Sequence, residues 1–373
     1  MAVINVLCLA NHERLGGGEK SFSELVKGLD RQVFRPVVIG PQAGLFRETM
    51  ETTGLKYYPL PLGESAKIGI IGLYNIVRAI REIVKAEQIT LLYACTIKSL
   101  LLGRLGTCGK SIPAIWHVRT MKTHGMLDWL IPVLAARIIT ISEAVKGKIP
   151  NFYKKRTTVL PNAINLAEAG QKSIEFDFRK RYNISSDTIL FGVIGRIAQE
   201  KGQSYFIEAA ARIAPEYPKA RFILAGEPFL AEDNKYQAHL KDLAQSLGIA
   251  DKLIWPGYAP NIWPVIGALD IVVVPSLREG FGRILVEAMA MGKPIIASRI
   301  GGIPEIVQDR QEALLVTAGD SALLAQAMRE ILADANLRQA LAQNGKKTAQ
   351  SKFGLELYHD KIHKIFQESL SKY

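Results

Sequence analysis

Apolar and polar residues alternate along the first part of the chain in a pattern that predicts strands followed by helices. Short β-branched runs separate longer segments whose apolar residues recur at helical spacing. The predicted strands are VINVLCLA, FRPVVIG, LKYYPLP, ITLLYAC, IPAIWHV and RIITIS, and the predicted helices are SFSELVKGL, LYNIVRAIREIVKAE and SLLLGRLG. This alternation predicts a parallel sheet covered by helices on both faces.

The pattern stops near Thr158 and then resumes, which predicts a second domain. TVLPNAINLAEAGQKSIEF lacks periodicity, so we expect the domain linker there. The second series contains the predicted strands ILFGVIG, RFILAG, LIWPG, IVVVPS and PIIAS and the predicted helices SYFIEAAARIA and YQAHLKDLAQSLG. The tail from Leu355 predicts an amphipathic helix. A length of 373 residues suits two doubly wound α/β domains, and no short repeat indicates a solenoid.

Composition agrees with two α/β domains and argues against a membrane-spanning, secreted or metal-binding protein. No apolar run is long enough to span a bilayer, and the first apolar stretch follows no basic region. We therefore interpret the N-terminus as a strand and not as a signal peptide. The three cysteines are scattered and lack metal-ligand spacing, which favours core packing in a reducing cytoplasm.

Charge is distributed unevenly along the chain. Residues 1–160 hold 22 Lys and Arg against 11 Asp and Glu, so they carry +11 of the net charge of +12. This indicates an anionic partner, namely a membrane surface, a lipid-diphosphate acceptor or nucleic acid, although a basic surface kept for solubility explains it as well. One apolar patch ahead of a basic helix could rest on anionic lipid, and packing within the domain is the alternative. This segment comprises Lys67, Ile68, Ile70, Ile71, Leu73, Tyr74, Arg78, Arg81 and Lys85.

The segment REGFGRILVEAMAMGKPIIASRIGGIPEIV, which begins at Arg278, is the most informative stretch. Glu279 follows a predicted buried strand, at the sheet edge where open α/β sheets bind ligands. Glu287 lies about one turn into a predicted helix whose N-terminus would favour phosphate. Carboxylates at such a place could accept hydrogen bonds from sugar hydroxyls. A capping Glu beside an ordinary surface Glu is the alternative for the pair alone.

This segment resembles the Glu-x7-Glu signature of the retaining glycosyltransferases of family 4, and weaker likenesses extend over nearly the whole chain. The resemblance implies the GT-B fold, with two tandem Rossmann-like domains that face a cleft. We expect an N-terminal acceptor domain over residues 1–165 and a C-terminal nucleotide-sugar donor domain over residues 166–354. The last helix, about residues 355–373, would cross back to the N-terminal domain.

The resemblance also assigns roles to residues in several motifs. GRIAQEKG would supply Arg196 and Lys201 to the donor diphosphate, and two fixed cations can stabilise a leaving diphosphate without a metal. No Asp-x-Asp pair is present, so we expect no metal and no cofactor. His117 in WHVRT would lie beside the transferred sugar, and Arg119 nearby could aid an anionic acceptor. The expected catalytic residues are His117, Glu279, Arg196 and Lys201.

Glycine loops and strand ends complete the expected donor site. LGGGEKS would face the donor phosphates, LAGEP and WPGY would receive the nucleobase, and GGIPE would lie under the diphosphate. VLPNAIN departs from the family pattern, and its Asn162 would be structural or reach the active site. The expected donor-binding residues are Gly17, Gly18, Arg196, Lys201, Glu227, Tyr258, Glu279, Gly280, Phe281, Gly282 and Glu287. Each motif taken alone also fits a structural turn, cap or core position.

The predicted function is therefore that of a retaining, metal-independent hexosyltransferase. It would use a nucleotide diphosphate sugar and a glycan or lipid-linked acceptor in cell-surface polysaccharide or glycolipid biosynthesis. We expect a cytoplasmic protein, with peripheral contact at an anionic membrane as an option. The alternatives are a GT-B-fold sugar-nucleotide epimerase or hydrolase and a basic nucleic-acid-binding module. Against the latter, the cations are dispersed and no aromatic stacking motif accompanies them.

Overall fold

The computed structural model describes residues 3–63, 69–171 and 178–371. The chain divides into two compact units, one of residues 1–162 with 355–373 and one of residues 163–354. This division falls three residues from the boundary that we placed after residue 165. Each unit is an α/β unit built around its own parallel sheet.

Seven strands within the described residues form the sheet of the first unit. Every strand pair is parallel, and the order is β3-β2-β1-β4-β5-β6-β7. The strands are β1 Ile4–Leu9, β2 Phe34–Gly40, β3 Lys56–Pro59, β4 Leu91–Ala94, β5 Ala114–Val118, β6 Arg137–Thr140 and β7 Thr157–Val159. The sequence did not predict β7, because two of its three residues lie at the start of the segment that we interpreted as a linker.

Helices connect these strands. They are α1 Gly17–Lys27, α2 Leu45–Glu51, α3 Ile70–Ala86, α4 Ile97–Gly106, α5 Leu127–Leu130 and α6 Glu143–Lys146, with 3-10 helices at Ile131–Leu134 and Asn151–Arg156. The strands β1 and β4 are neighbours in the sheet although β2 and β3 lie between them in sequence. The chain reverses its direction of travel across the sheet at this pair, which is the topological switch point where open α/β sheets bind ligands.

Six strands within the described residues form the sheet of the second unit, in the parallel order β10-β9-β8-β11-β12-β13. The strands are β8 Ile189–Ile194, β9 Ala220–Ala225, β10 Leu253–Gly257, β11 Ile271–Val274, β12 Ile295–Ser298 and β13 Leu314–Val316. The helices are α7 Leu166–Gln171, α8 Phe178–Arg181, α9 Gln203–Ile213, α10 Ala231–Ser246, α11 Trp263–Ala268, α12 Arg283–Ala290, α13 Ser321–Ala333 and α14 Ala335–Lys352, with 3-10 helices at Gln199–Lys201, Ala250–Lys252 and Ile303–Glu305. Its switch point lies between β8 and β11.

Both sheets are buried on both faces, as continuous apolar strands require. In the second unit, Phe191 of β8 and Phe222 of β9 lie in a core closed by residues such as Phe206 of α9 and Met328 of α13. In the first unit, the strands β1 and β4 are buried over nearly their whole length. The two cores hold the strand ends that carry the candidate site residues.

The final helix, α15 Leu355–Leu370, packs on the first unit, as the resemblance implies. Its Phe366 is fully buried, and its ring contacts the rings of Phe34 and Tyr93. Arg137 of β6 donates to Glu368 at 2.8 Å. The apolar stripe of the predicted amphipathic helix is thus the face that joins the core.

Candidate functional site

Two side chains that the sequence places far apart meet at the switch point of the second unit. Lys201 follows β8 and Glu279 follows β11, and the Lys201 Nζ atom lies 2.7 Å from Glu279 Oε2. The buried hydroxyl of Ser276 also donates to Glu279 Oε2, at 3.3 Å. Both members of the ion pair are largely shielded from water, so their attraction is stronger than that of a surface pair.

Glycine turns hold the backbone on either side of this pair. Gly202 has φ +68°, and a Cβ atom there would lie 2.0 Å from the carbonyl oxygen of Pro275. Gly301 has φ +56°, and a Cβ atom there would lie 2.0 Å from the carbonyl oxygen of Glu279. The N–H of Gly302 donates to that same oxygen at 3.0 Å. The GGIPE turn therefore packs directly against the backbone of the carboxylate residue, and only glycine fits at these two contacts.

Arg196, the second predicted cation, lies within a group of acidic side chains. It contacts Glu200, and its guanidinium lies 3.5 Å from Asp233. Glu200 also accepts from Arg278 at 3.1 Å. Burial alone would raise the pKa of Glu200, but the charges of Arg196 and Lys201 outweigh burial and hold that pKa below its ordinary value. The sequence reasoning missed Glu200 and Asp233, although the acid adjacent to Lys201 was a visible signal.

Glu287 lies in α12, and its side chain is buried. Arg283, one turn earlier on the same helix, donates to Glu287 Oε1 at 2.8 Å. The cation compensates the buried carboxylate, which would otherwise be costly. The structure therefore places Glu287 as half of an ion pair in the first turns of α12, in the second unit together with Glu279.

The remaining predicted donor residues of this unit have varied surroundings. Gly280, Phe281 and Gly282 form the turn into α12, and Phe281 is buried with its ring 5.9 Å from that of Phe353. Any contact of Phe281 with a ligand would thus come from its backbone. Glu227 follows β9 with an exposed side chain, and Tyr258 follows β10 and is half-buried. Both lie at carboxyl ends of strands, on the side of the switch point opposite Glu279.

In the first unit, Gly17 and Gly18 lie in the first turn of α1, which follows β1 after a loop of residues 10–16. A Cβ atom at Gly18 would meet nothing within 4 Å. Neither φ nor crowding by the protein therefore requires glycine at position 18. The backbone N–H groups of this turn lie at the positive end of the helix dipole.

His117 is fully buried near the end of β5, and a small polar network holds its ring. Its Nδ1 atom lies 2.8 Å from the hydroxyl of Tyr93 and 3.3 Å from a guanidinium nitrogen of Arg119. Arg119 can only donate, so Nδ1 accepts and the ring proton resides on Nε2. No other described residue hydrogen-bonds this Nε2 atom. Burial, reinforced by the charge of Arg119, lowers the pKa of His117 well below its ordinary value.

Arg119 itself is directed into this network. Besides its bonds to Tyr93 and His117, it donates to Asn162 Oδ1 at 2.7 Å. Its guanidinium therefore orients His117 and, through the hydrogen bond to Asn162, also fixes the position of the last residue of the first unit before the chain enters the second. The sequence did not single out Tyr93, because an apolar strand gives no sign that one of its aromatic hydroxyls faces a histidine on the neighbouring strand.

The predicted lipid segment can be followed only in part. Lys67 and Ile68 lie outside the described residues. Ile70, Ile71 and Tyr74 at the start of α3 are exposed, so packing within the unit does not account for them, whereas the later turns of α3 are buried through residues such as Ile80. None of the helices in the described residues combines the length and apolar character that crossing a bilayer requires. The described residues also contain no cluster of three His, Cys, Asp or Glu suited to a metal ion.

The fold defines an α/β protein with two Rossmann-like units, each with polar residues at its strand ends. Comparison with known proteins identifies the family. The family model for glycosyltransferase family 4 matches residues 15–168, and the model for glycosyl transferases group 1 matches residues 175–348. The chain belongs to the group 1 glycosyltransferases of family 4 and has their GT-B fold.

Individual relatives are more distant. The chain is 24% identical over 300 residues to an uncharacterized glycosyltransferase, MJ1607, of Methanocaldococcus jannaschii, covering 77% of this chain and 74% of that protein. It is 29% identical over 182 residues to the lipopolysaccharide core biosynthesis glycosyltransferase LpsE of Rhizobium meliloti. That match covers 49% of this chain and 51% of LpsE, so the chain spans about half the length of this relative.

Among solved structures, Anabaena Alr3699/HepE in complex with UDP-glucose superposes with a TM-score of 0.85 at 23% sequence identity. The match covers 99% of this chain and 100% of HepE. This likeness confirms the predicted fold.

Proposed function

We propose that this chain transfers a hexosyl unit from a nucleoside diphosphate sugar to an acceptor hydroxyl, with retention of anomeric configuration. The ion pair between Lys201 and Glu279, at the switch point between β8 and β11, carries the proposal. A cation beside a carboxylate matches the two chemical parts of such a donor, which are an anionic diphosphate and neutral sugar hydroxyls.

In the proposed reaction, the bond between the anomeric carbon and the phosphate oxygen breaks, and an acceptor oxygen bonds to that carbon from the same face. The leaving diphosphate takes the acceptor proton, so no enzyme nucleophile is needed. Lys201 and Arg196 stabilise the charge that develops on the diphosphate. Glu279 binds hydroxyls of the transferred sugar, and Glu287 binds ribose hydroxyls. The proposal assigns no role to a metal ion.

His117 has a separate role in this proposal. Because its ring proton is held on Nε2, the neutral imidazole would donate a hydrogen bond to a sugar or acceptor oxygen. It would not act as a proton donor to the leaving group, since the low pKa keeps the ring neutral at physiological pH.

The comparisons support the substrate classes of the proposal. HepE holds UDP-glucose, which supports a nucleotide-sugar donor. LpsE is named for lipopolysaccharide core biosynthesis, which supports a glycan or lipid-linked acceptor for a cell-surface polymer or glycolipid.

Thermal unfolding in the presence of a panel of nucleotide sugars, starting with UDP-glucose, tests donor binding. A ligand that binds only the folded state raises the unfolding free energy of the protein by about 2.7 kcal/mol when its concentration is 100 times its Kd. We expect one member of the panel to raise Tm, and E279Q and K201M to abolish most of that rise. The matched control is D187N, which breaks a lysine–carboxylate pair just before the amino ends of β8 and β9, whereas the site lies at the carboxyl ends of the strands. A panel without effect, or equal shifts in E279Q and D187N, would refute the site.

Product analysis with and without acceptor separates transfer from the epimerase and hydrolase alternatives. A transferase requires the acceptor for rapid release of the nucleoside diphosphate, and the new linkage keeps the anomeric configuration of the donor. We expect a chelator to leave this turnover unchanged. Inversion of the anomeric configuration would contradict retention. Rapid conversion of the donor without acceptor would contradict transfer, and loss of turnover with the chelator would contradict a reaction without a metal ion.

A further inference from the structure

The first unit exposes a group of large apolar side chains at one place on its surface. Met126, Trp129 and Val133 are 74%, 59% and 61% exposed, and Phe152 is 63% exposed. Met126 immediately precedes α5, Trp129 lies in α5, Val133 lies in the 3-10 helix that follows it, and Phe152 lies in the 3-10 helix Asn151–Arg156. We call these four residues, with Leu127 and Leu130, the α5 surface.

Contacts between the two segments make the α5 surface continuous. The rings of Trp129 and Phe152 lie 6.0 Å apart. Tyr153 donates from its hydroxyl to the carbonyl oxygen of Trp129 at 3.3 Å, and Arg156 donates to that of Pro132 at 2.8 Å. The exposed rings therefore lie side by side on a supported backbone.

Packing within the unit does not explain this composition. None of the four residues of α5 is buried, although three of them are apolar. A soluble monomer rarely exposes neighbouring large apolar side chains, and such patches commonly mark interaction sites. The α5 surface is therefore suited to a partner that accepts apolar side chains.

The charge around the α5 surface indicates the chemistry of that partner. Residues 97–156, the stretch of sequence that contains the α5 surface, hold 11 Lys and Arg against two Asp and Glu. Two of these cations lie elsewhere, since Arg119 belongs to the His117 network and Arg137 pairs with Glu368.

Lys122 and Lys155 are exposed and lie within four residues of Met126 and Phe152 in sequence, and Lys154 and Arg156, which are half-buried, follow Phe152 in the same 3-10 helix. A second copy of the chain would set these like charges against each other, which opposes self-association through this face.

We propose that the α5 surface docks the protein on an anionic lipid bilayer. Trp129, Phe152 and Met126 enter the headgroup layer. The indole of Trp129 has an apolar body and a polar N–H that suit this layer, and Phe152 and Met126 contribute apolar area. The flanking lysines and Arg156 bind lipid phosphates. This surface is distinct from the sequence-predicted segment at α3, and it does not depend on the reaction proposed above.

Vesicle sedimentation of the full chain tests this proposal, with phosphatidylcholine vesicles compared with vesicles that also contain phosphatidylglycerol. We expect binding to the anionic vesicles, weakened by salt, because exposed charges are screened. The double variant W129Q/F152Q should lower the partition coefficient at least tenfold. The variant L247Q/L323Q, which alters two exposed leucines of the second unit, should bind as the parent does.

Tryptophan quenching by brominated phosphatidylglycerol provides a second readout. Trp116 and Trp263 are buried, and Trp255 is half-buried in the second unit, so Trp129 is the tryptophan that lipid would reach on this surface. We expect strong quenching in the parent, and W129F should lose it while it still binds vesicles. Failure to bind anionic vesicles, or equal binding by W129Q/F152Q, would overturn the proposal. The proposal would also be overturned if the protein bound an oligonucleotide more tightly than lipid, or if it self-associated and W129Q/F152Q abolished that self-association.

Discussion

Tyr93 lies fully buried at the end of β4, where its hydroxyl contacts both His117 and Arg119. The geometry makes this hydroxyl a donor to the imidazole and an acceptor from the guanidinium. Burial raises the pKa of Tyr93 well above its ordinary value, so the hydroxyl keeps its proton. Arg119 and Tyr93 together thus set the tautomer of His117 on the adjacent strand.

Replacement of Tyr93 by Phe tests this arrangement. The change leaves two buried polar groups short of a partner, and we expect a loss of about 1–3 kcal/mol in unfolding free energy. Urea unfolding measures it. The control is Y57F, which removes one hydrogen bond to the carbonyl oxygen of Pro41 and should cost about 0.5–1.5 kcal/mol. Equal losses in the two variants would show that the network adds nothing beyond a single hydrogen bond.

At the scale of elements, the loop from β8 to α9 depends on Gly202. This glycine has positive φ and approaches the carbonyl oxygen of Pro275, and it follows Lys201 directly. The loop therefore positions the lysine through contact with the chain that leaves β11. A side chain at this glycine would force the two loops apart and separate Lys201 from Glu279.

We expect G202A to weaken donor binding and to lower stability more than G248A does. Both glycines have φ +68°, so both variants incur the same backbone strain of roughly 1–2 kcal/mol. Only G202A adds a clash, because a Cβ atom at Gly248 would meet nothing within 4 Å. Thermal unfolding and nucleotide-sugar titration measure the difference. Identical behaviour of the two variants would contradict the proposed role of the close contact.

The sequence predicted the helices and strands that have a clear apolar periodicity, but it did not predict the shortest strands. The strand β1 and the helices α3 and α15 follow from their apolar pattern alone. The strands β7 and β13 have three residues each, and a pattern that short cannot be told from a loop. They become strands because β6 and β12 offer them free edges for hydrogen bonding.

At the scale of the whole molecule, the buried neutral His117 makes stability depend on pH. Its folded-state pKa is depressed, so the unfolded chain binds a proton that the native state does not. Stability must then fall as pH drops below about 6.5, the ordinary histidine value, by up to roughly 1.4 kcal/mol per pH unit. This contribution is fully present above that pH.

Unfolding free energies at pH 8 and pH 5.5 test this prediction. We expect the parent to lose stability between the two, and H117Q to lose less because it has no group to protonate. The exposed histidine variant H239Q serves as the control and should keep the slope of the parent. If H117Q keeps that slope too, the acid sensitivity arises elsewhere.

The sequence by itself determined the series of strands and helices, the two-unit α/β organisation and the residue types at the strand ends. These are local properties, since apolar periodicity and glycine placement can be seen within a few neighbouring positions. The residues Lys201 and Glu279 lie 78 positions apart, and only the parallel topology, with β8 beside β11, makes them an ion pair. The tertiary structure likewise decided which histidine nitrogen holds the proton and which apolar side chains stay exposed. Hydrogen bonding between strands and burial depend on neighbours distant in sequence, and no local pattern records them.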